Sequence, residues 1–166
     1  YGVPGSPLSH ATTHPQHLSR STPMIFSFGQ SEHERIEVAV LGYERAPVGE
    51  YHDDNWLKVE IRVGVGGFHG TVQAATLTDE LPALLSQLRP LFASLRGMAE
   101  FTTLAGQLNL RLAGDGKGHI ELVGDVADQA GIGNRLHFTL DFDQSQLGAS
   151  IRELETVVAA FPIRSA

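Results

Sequence analysis

The chain has 166 residues, 42% of them apolar, which fits one domain built around a single hydrophobic core. Cysteine is absent, which excludes disulfide frameworks, thiolate zinc sites and cysteine nucleophiles. The net charge is −7 with only two lysines, a balance that disfavours binding to a nucleic-acid backbone. No apolar run approaches the roughly 20 residues of a membrane helix, so we predict neither nucleic acid nor a membrane as partner.

Residues 1–23 differ in composition from the rest of the chain. They contain four prolines, many Ser, Thr and His residues, and a single charge at Arg20. Such a segment buries too little apolar surface to offset its ordering entropy, so we expect a leader or tag-like segment outside the core. The single α+β domain is then predicted to span residues 24–166. No charged-then-apolar signal segment opens the chain, which favours a cytoplasmic location.

From Met24 onward, apolar and polar residues alternate as they do in strands that bury one face. Gly66-Gly67 marks a hairpin turn, after which Phe68, Val72 and Ala74 continue the buried face. Six or seven such segments are joined mostly by short turns, which predicts antiparallel pairing. The fold class is therefore α+β, with one mainly antiparallel sheet whose buried face carries Val59, Ile61, Leu110, Leu122 and Phe138.

Two amphipathic helices interrupt the strands, and we expect both to cover the apolar face of the sheet. The first is predicted to begin at Thr78 and to kink or end just before Pro90, since proline disrupts a helix interior. The second is predicted to begin after Asp143, with Gln146 at the capping-box position. An offset of 66 residues aligns their apolar stripes, which is compatible with an internal repeat of strands followed by a helix and equally with a chance match of two amphipathic periods.

Three polar groups raise the question of catalysis or ligand binding. The glycine-rich stretch 114–119 leads into a strand rather than a helix, so it is interpreted as a hairpin turn and not a phosphate loop. His119, His137 and Asp141 are predicted to lie on outward positions of neighbouring strands, where a His–carboxylate pair could bind metal or transfer protons. The loop 125–134 offers oxygen ligands but lacks the spacing of an EF-hand. None of these patterns is a catalytic signature.

Asp53, Asp54 and Trp56 form a different kind of candidate. The only tryptophan of the chain follows an acidic turn and is out of phase with the buried series that begins at Leu57. Exposed tryptophans are typical anchors of protein interfaces. These three residues are therefore predicted to form a partner-binding surface, and the alternative is a tryptophan that closes the end of the core.

Segments 54–57 (DNWL) and 77–81 (LTDEL) resemble the WapI-like family of bacterial immunity proteins. Later segments, from residues 118–121 to 161–162, are similar to a related uncharacterised bacterial family, so the resemblance spans about residues 34–163. It implies a small cytoplasmic antidote to a wall-associated, contact-dependent toxin whose toxic tip is often a nuclease. It implies no catalytic residue and no cofactor.

Two classes of function remain open. The favoured one is a non-enzymatic binding protein, an immunity protein that occludes a basic toxin domain, because an acidic partner finds a basic cleft rapidly. The alternative is a small enzyme or ligand-binding domain that uses the cluster of His119, His137 and Asp141 or the 125–134 loop. A deep pocket lined by those groups would favour the alternative. The sequence leaves the oligomeric state open.

Deletion of residues 1–23 is expected to leave the midpoint of thermal unfolding within about 5 °C of that of the full chain, because nothing in this segment has a core-forming period. Calorimetry on the two proteins measures the difference. A larger fall in the midpoint would show that the segment belongs to the fold.

Overall fold

The computed structural model describes Gly2 and residues 24–165, so the expectations for residues 1–23 lie outside the described residues. Within these residues, eight strands and three helices follow one another. In order they are β1 (Met24–Ser31), β2 (Glu34–Tyr43), α1 (Tyr51–Asp54), β3 (Trp56–Val65), β4 (Phe68–Leu77), α2 (Glu80–Ser94), β5 (Arg96–Thr102), β6 (Leu108–Asp115), β7 (His119–Ala127), β8 (Arg135–Asp143) and α3 (Gln144–Ala160).

The strands form two sheets of four, in the orders β1-β2-β3-β4 and β5-β6-β7-β8, with every neighbouring pair antiparallel. The prediction of one sheet with six or seven strands is therefore wrong, whereas the α+β class and the antiparallel pairing are confirmed. Alternation shows which face of a strand is buried but not which strand is its neighbour. Strand β5 was also missed, since Ala99 and Phe101 are the only residues it buries.

The predicted order of strands followed by a helix occurs in both halves of the chain. Strands β4 and β8 end at Leu77 and Asp143, which are 66 residues apart (143 − 77), and α2 or α3 follows each of them. The two helices contact each other, and Arg89 and Glu155, also 66 residues apart, form an ion pair at 3.4 Å. Equivalent faces of the two helices therefore meet.

One cluster of buried side chains joins both sheets and both long helices. Helix α3 packs against β1 and α2 packs against β5, while β1 also contacts β8. The rings of Phe28 and Phe142, on those two strands, lie 6.3 Å apart at the junction of the sheets. The residues predicted to form the buried face of the sheet are all buried: Val59, Ile61, Leu110, Leu122 and Phe138.

The start of α3 agrees with the prediction, whereas both ends of α2 differ from it. Asp143 caps α3, and its capping box with Gln146 is present as predicted. The N-cap position of α2 is Asp79 rather than Thr78, without a capping hydrogen bond from its side chain, and the helix continues past Pro90 to Ser94. It does not end at the proline because Leu88 and Leu91, on either side, are buried against the core and hold the last turn in place. No helix in residues 24–165 is long and apolar enough to cross a membrane.

Substitution of Gly124 by alanine is expected to lower the free energy of unfolding by about 1–3 kcal/mol, the usual cost of overpacking a core. A Cβ atom at Gly124 would lie 2.6 Å from Cζ of Phe138 and 2.9 Å from Cδ2 of Leu110. Urea denaturation measures the loss. Gly70→Ala is the matched control in a strand, because no atom lies within 4 Å of its added Cβ. Equal losses in the two variants would contradict this account of the packing.

Candidate functional site

The acidic turn before β3 is organised around the carboxylate of Asp54. The side chain is 2% exposed, and its two oxygens accept hydrogen bonds from the main-chain N–H groups of Val48 (2.8 Å), Gly49 (2.8 Å) and Glu50 (3.2 Å). These bonds, first of all the one from Val48, hold the pKa of Asp54 below its ordinary value against the opposing effect of burial. Asp54 therefore fixes the loop that precedes α1, and its side chain is enclosed by the protein rather than exposed at the predicted surface.

Asn55 connects three separate parts of the chain. Its amide nitrogen donates to the carbonyl oxygens of Tyr51 (2.7 Å) and Arg164 (2.9 Å). Its amide oxygen accepts from the hydroxyl of Thr78 (2.6 Å) and from the main-chain N–H of Arg164 (2.8 Å). Asn55 is 1% exposed and Thr78 also is 1% exposed, so this is a buried and satisfied polar network. It binds α1, the entry to α2 and the C-terminal segment together.

The C-terminal segment is held at a second point by an aromatic residue of β2. The hydroxyl of Tyr43 donates to the carbonyl oxygen of Pro162 at 2.5 Å, and the guanidinium of Arg164 lies 3.5 Å from the centre of the Tyr43 ring. This cation–π contact and the bonds to Asn55 place residues 162–164 beside the start of β3. The network that joins Asn55, Thr78 and Arg164 could not be predicted from the sequence, because no spacing rule links residues so far apart.

Trp56 and Asp53 remain at the surface of this region. Trp56 is partly buried and lies on the outer side of β3, in phase with Lys58 and Arg62 and out of phase with the buried residues. Asp53 is half-exposed and pairs with Arg45 at 3.2 Å. A partner approaching this end of the sheet would meet these two side chains and not Asp54.

The three residues of the alternative cluster do not converge. Nε2 of His119 lies 3.0 Å from Oδ1 of Asp141, and both side chains are about half-exposed. His137 is four residues from Asp141 along β8, about 13 Å away at the rise of a strand, and its register partner on β7 is Asp125. Among residues 24–165, no group of three or more His, Cys, Asp or Glu side chains is placed to hold a metal ion.

The oxygen-rich loop 125–134 uses its carboxylates within the chain. Asp125 accepts hydrogen bonds from Asn109 at 2.8 Å and pairs with Arg135 at 2.9 Å. Asp128 accepts the main-chain N–H and the side-chain amide of Asn134, at 2.9 and 3.0 Å. The loop is therefore closed by its own side chains.

An apolar depression that the sequence did not indicate lies between β4 and the β7–β8 loop. We call this depression the β4 groove, and its lining includes Phe68, Gly70 and Val72 of β4 together with Val126 and Leu136. Phe68, predicted to continue the buried face, is 69% exposed at its rim. The prediction is wrong at this residue because Phe68 begins an edge strand whose first four residues are all exposed. The groove has a volume of about 250 Å³.

The low pKa of Asp54 predicts how acid affects the fold. A carboxylate whose pKa is lowered by folding stabilises the protein above its unfolded pKa of about 3.9 and loses that contribution as the pH falls through the folded pKa. Between pH 5 and 7, the melting temperature of Asp54→Asn is expected to be below that of the unmodified protein. Below pH 4 the difference between the two melting temperatures is expected to narrow. Asp53→Asn, in an exposed ion pair, is the control with little effect. A gap for Asp54→Asn that stays constant down to pH 2 would contradict the assignment.

Comparison with solved structures finds matches at low identity, among them the following two. The plant transcriptional regulator PBF-2 is 10% identical with a TM-score of 0.49, covering 85% of this chain and 83% of that chain. MRP1/MRP2 of Trypanosoma bruciei is 12% identical with a TM-score of 0.46, covering 84% of this chain and 86% of that chain. At these identities neither transfers a function to this chain. No curated protein matches the sequence.

The sequence matches the Immunity protein WapI-like family over residues 25–162, nearly the whole chain. The match includes segments 54–57 and 77–81, on which the resemblance rests, and these segments are joined by the hydrogen bond between Asn55 and Thr78. The resemblance is thereby confirmed. The chain belongs to the WapI-like immunity protein family.

Proposed function

We propose that this protein is a cytoplasmic immunity protein that neutralises a contact-dependent bacterial toxin by binding and occluding it, without catalysis of its own. The observation that carries the proposal is the family match over residues 25–162. Membership of an immunity family implies a protein toxin as partner, and such proteins are generally non-enzymatic. No cofactor is part of the proposal.

The charge of the chain supports a basic toxin domain as the partner. The net charge is −7. A toxin that acts on nucleic acid binds phosphates with a basic cleft, and an acidic protein is attracted to that cleft over a distance of about a Debye length. Such steering raises the association rate and excludes partners of the same sign. Occlusion of the cleft would be sufficient to protect the cell.

The surface that carries Asp53 and Trp56 is the proposed contact of the toxin on the first sheet. Trp56 is partly buried, so its ring is already held by the protein and loses little freedom when a partner covers it. Asp53 lies beside it in an exposed ion pair that a basic partner can replace. Asp54 contributes by fixing the loop beneath them.

The alternative of a small enzyme or ligand-binding domain depends on the His119–Asp141 pair. The distance of 3.0 Å is suitable for proton transfer between the two side chains. A catalytic site needs further convergent groups and a pocket, however, and His137 is on a distant part of β8. The pair therefore serves best as a control position for the binding experiments.

Trp56→Ala is expected to weaken the complex by about 2 kcal/mol or more, roughly 30-fold in Kd, as loss of an interface aromatic does. The partner in the titration is the inactivated toxic domain of a wall-associated, contact-dependent toxin, chosen by reading the genes on either side of the gene for this protein. Asp53→Asn is expected mainly to slow association and reduce its salt dependence. His119→Ala, on the second sheet, is the control with unchanged Kd.

A melting curve on the same Trp56→Ala variant separates binding from folding. If Trp56 mainly closes the core, its loss lowers the free energy of unfolding by about 3–5 kcal/mol. Loss of stability with an unchanged Kd would remove Trp56 as a contact. No measurable binding of the unmodified protein to the toxin domain, together with no protection of cells that express the toxin, would refute the immunity function itself.

A further inference from the structure

Strand β4 forms an edge of the first sheet and is open along its first half. It pairs with β3 on one side, and residues 68–71 are exposed. Its ten residues, FHGTVQAATL, contain no lysine, arginine, aspartate, glutamate or proline. Exposed edge strands usually carry charges or proline, which prevent pairing with another strand. The composition of β4 does not provide that protection.

The main chain of β4 offers unused hydrogen-bonding groups. The carbonyl of Gln73 points away from β3, because it accepts from Nε2 of Gln107 at 3.0 Å, and the N–H of Leu77 also bonds away from β3, to a side chain of α2. Main-chain groups alternate sides along a strand, and β4 pairs with β3 without a register shift. His69 and Thr71 therefore also direct their N–H and C=O groups outward. No described residue forms a hydrogen bond with these groups.

The other sheet edges in the described part of the chain, β1, β5 and β8, each contact a further element. On β5, the side-chain amide of Gln87 both donates to the carbonyl oxygen of Glu100 and accepts its N–H, each at 2.9 Å. Strand β1 is packed against α3 and also contacts β8. The first half of β4 is thus the place where a further strand can be added with the least rearrangement.

The β4 groove lies directly beside this edge and is suited to apolar side chains. Gly70 contributes no side chain, and no atom lies within 4 Å of the position that its Cβ would take. The space of about 250 Å³ is the size of one or two large side chains. It is lined mainly by apolar residues, including Ile61, Val63, Phe68, Val72, Val126 and Leu136.

The charged residues at the rim of the groove already have partners. Arg135 pairs with Asp125 at 2.9 Å, and Asp128 binds Asn134. An occupant would therefore gain little by placing a charge in the groove and would gain more from apolar contact. These observations describe the partner segment: an extended strand with apolar side chains at alternate positions.

We propose that β4 binds an extended strand of the toxin domain by adding it to the first sheet at His69 and Thr71, with apolar side chains of that strand in the β4 groove. The proposal rests on the proposed immunity function. A second copy of this chain is the weaker occupant, because each copy has a net charge of −7 and the two repel each other. A basic toxin domain is attracted by the same charge.

Thr71→Pro tests the strand pairing. Proline removes the outward N–H that the partner strand needs, while the N–H groups that bond to β3 remain in place. Thr71→Val is the matched control, since it keeps the N–H and the β-branched side chain. With the inactivated toxin domain as probe, Thr71→Pro is expected to raise Kd by about tenfold or more, and Thr71→Val to leave it within about twofold. Phe68→Asp, at an exposed position, is expected to weaken binding similarly.

Hydrogen–deuterium exchange on the unmodified complex gives a second measurement that does not depend on the folding of a variant. The amides of His69 and Thr71 are expected to be protected when the toxin domain is bound. Binding of the toxin domain with no protection of these amides would overturn the proposal and leave the immunity function standing. So would an unchanged Kd for a folded Thr71→Pro variant.

The remaining outcomes distinguish an error in the proposed occupant of β4 from an error in the proposed immunity function. Trp56 lies at the other end of the β3–β4 hairpin, opposite Leu77 and so roughly 20–26 Å from Thr71 and His69 at the rise of a strand, and its variants therefore report on a separate surface. A dimer of the free chain that dissociates in Thr71→Pro would assign the edge to a second copy and overturn the proposal. If the unmodified protein does not bind the toxin domain at all, the immunity function fails and this proposal fails with it.

Discussion

The buried amide of Asn55 is the interaction on which the arrangement of the first sheet, α1 and the C-terminal segment depends. All four of its hydrogen-bonding positions are occupied, by Tyr51, Thr78 and Arg164. An apolar residue here would leave several main-chain groups unpaired in the interior, where each costs about 1–3 kcal/mol. The two segments that resemble the family, 54–57 and 77–81, are thus bonded to each other. They define a fold rather than a catalytic site.

Much of the fold could be predicted from the sequence, but not how the strands are distributed. Alternation identified seven of the eight strands and their buried faces, and the spacing of Asp143 and Gln146 located the start of α3. These are local patterns, each contained within one element. The division into two sheets depends on which strands are neighbours across α2, and no local pattern determines this. Pro90 was misjudged for a related reason, since burial of Leu88 and Leu91 outweighs the local cost of proline.

The candidate surface was predicted only in part. The phase of Trp56 relative to Leu57 is a property of the strand, so the sequence predicted its outward side correctly. Asp53 and Asp54 are adjacent and chemically identical, yet one is half-exposed and the other is enclosed by three N–H groups. That difference arises from the path of residues 48–50. The exposure of Phe68 likewise depends on its place at the start of an edge strand.

The separation of core and surface explains how one fold could serve a specific partner. Asn55 and Asp54 hold the framework from inside, whereas residues 68–71 of β4 are exposed and contribute no buried side chain to the core. In the proposed complex, main-chain pairing along His69 and Thr71 would give affinity while being nearly independent of the sequence of the added strand. Discrimination must then come from the side chains that enter the β4 groove. Substitutions at Phe68 or Val72 would change which toxin is bound while leaving the pairing intact.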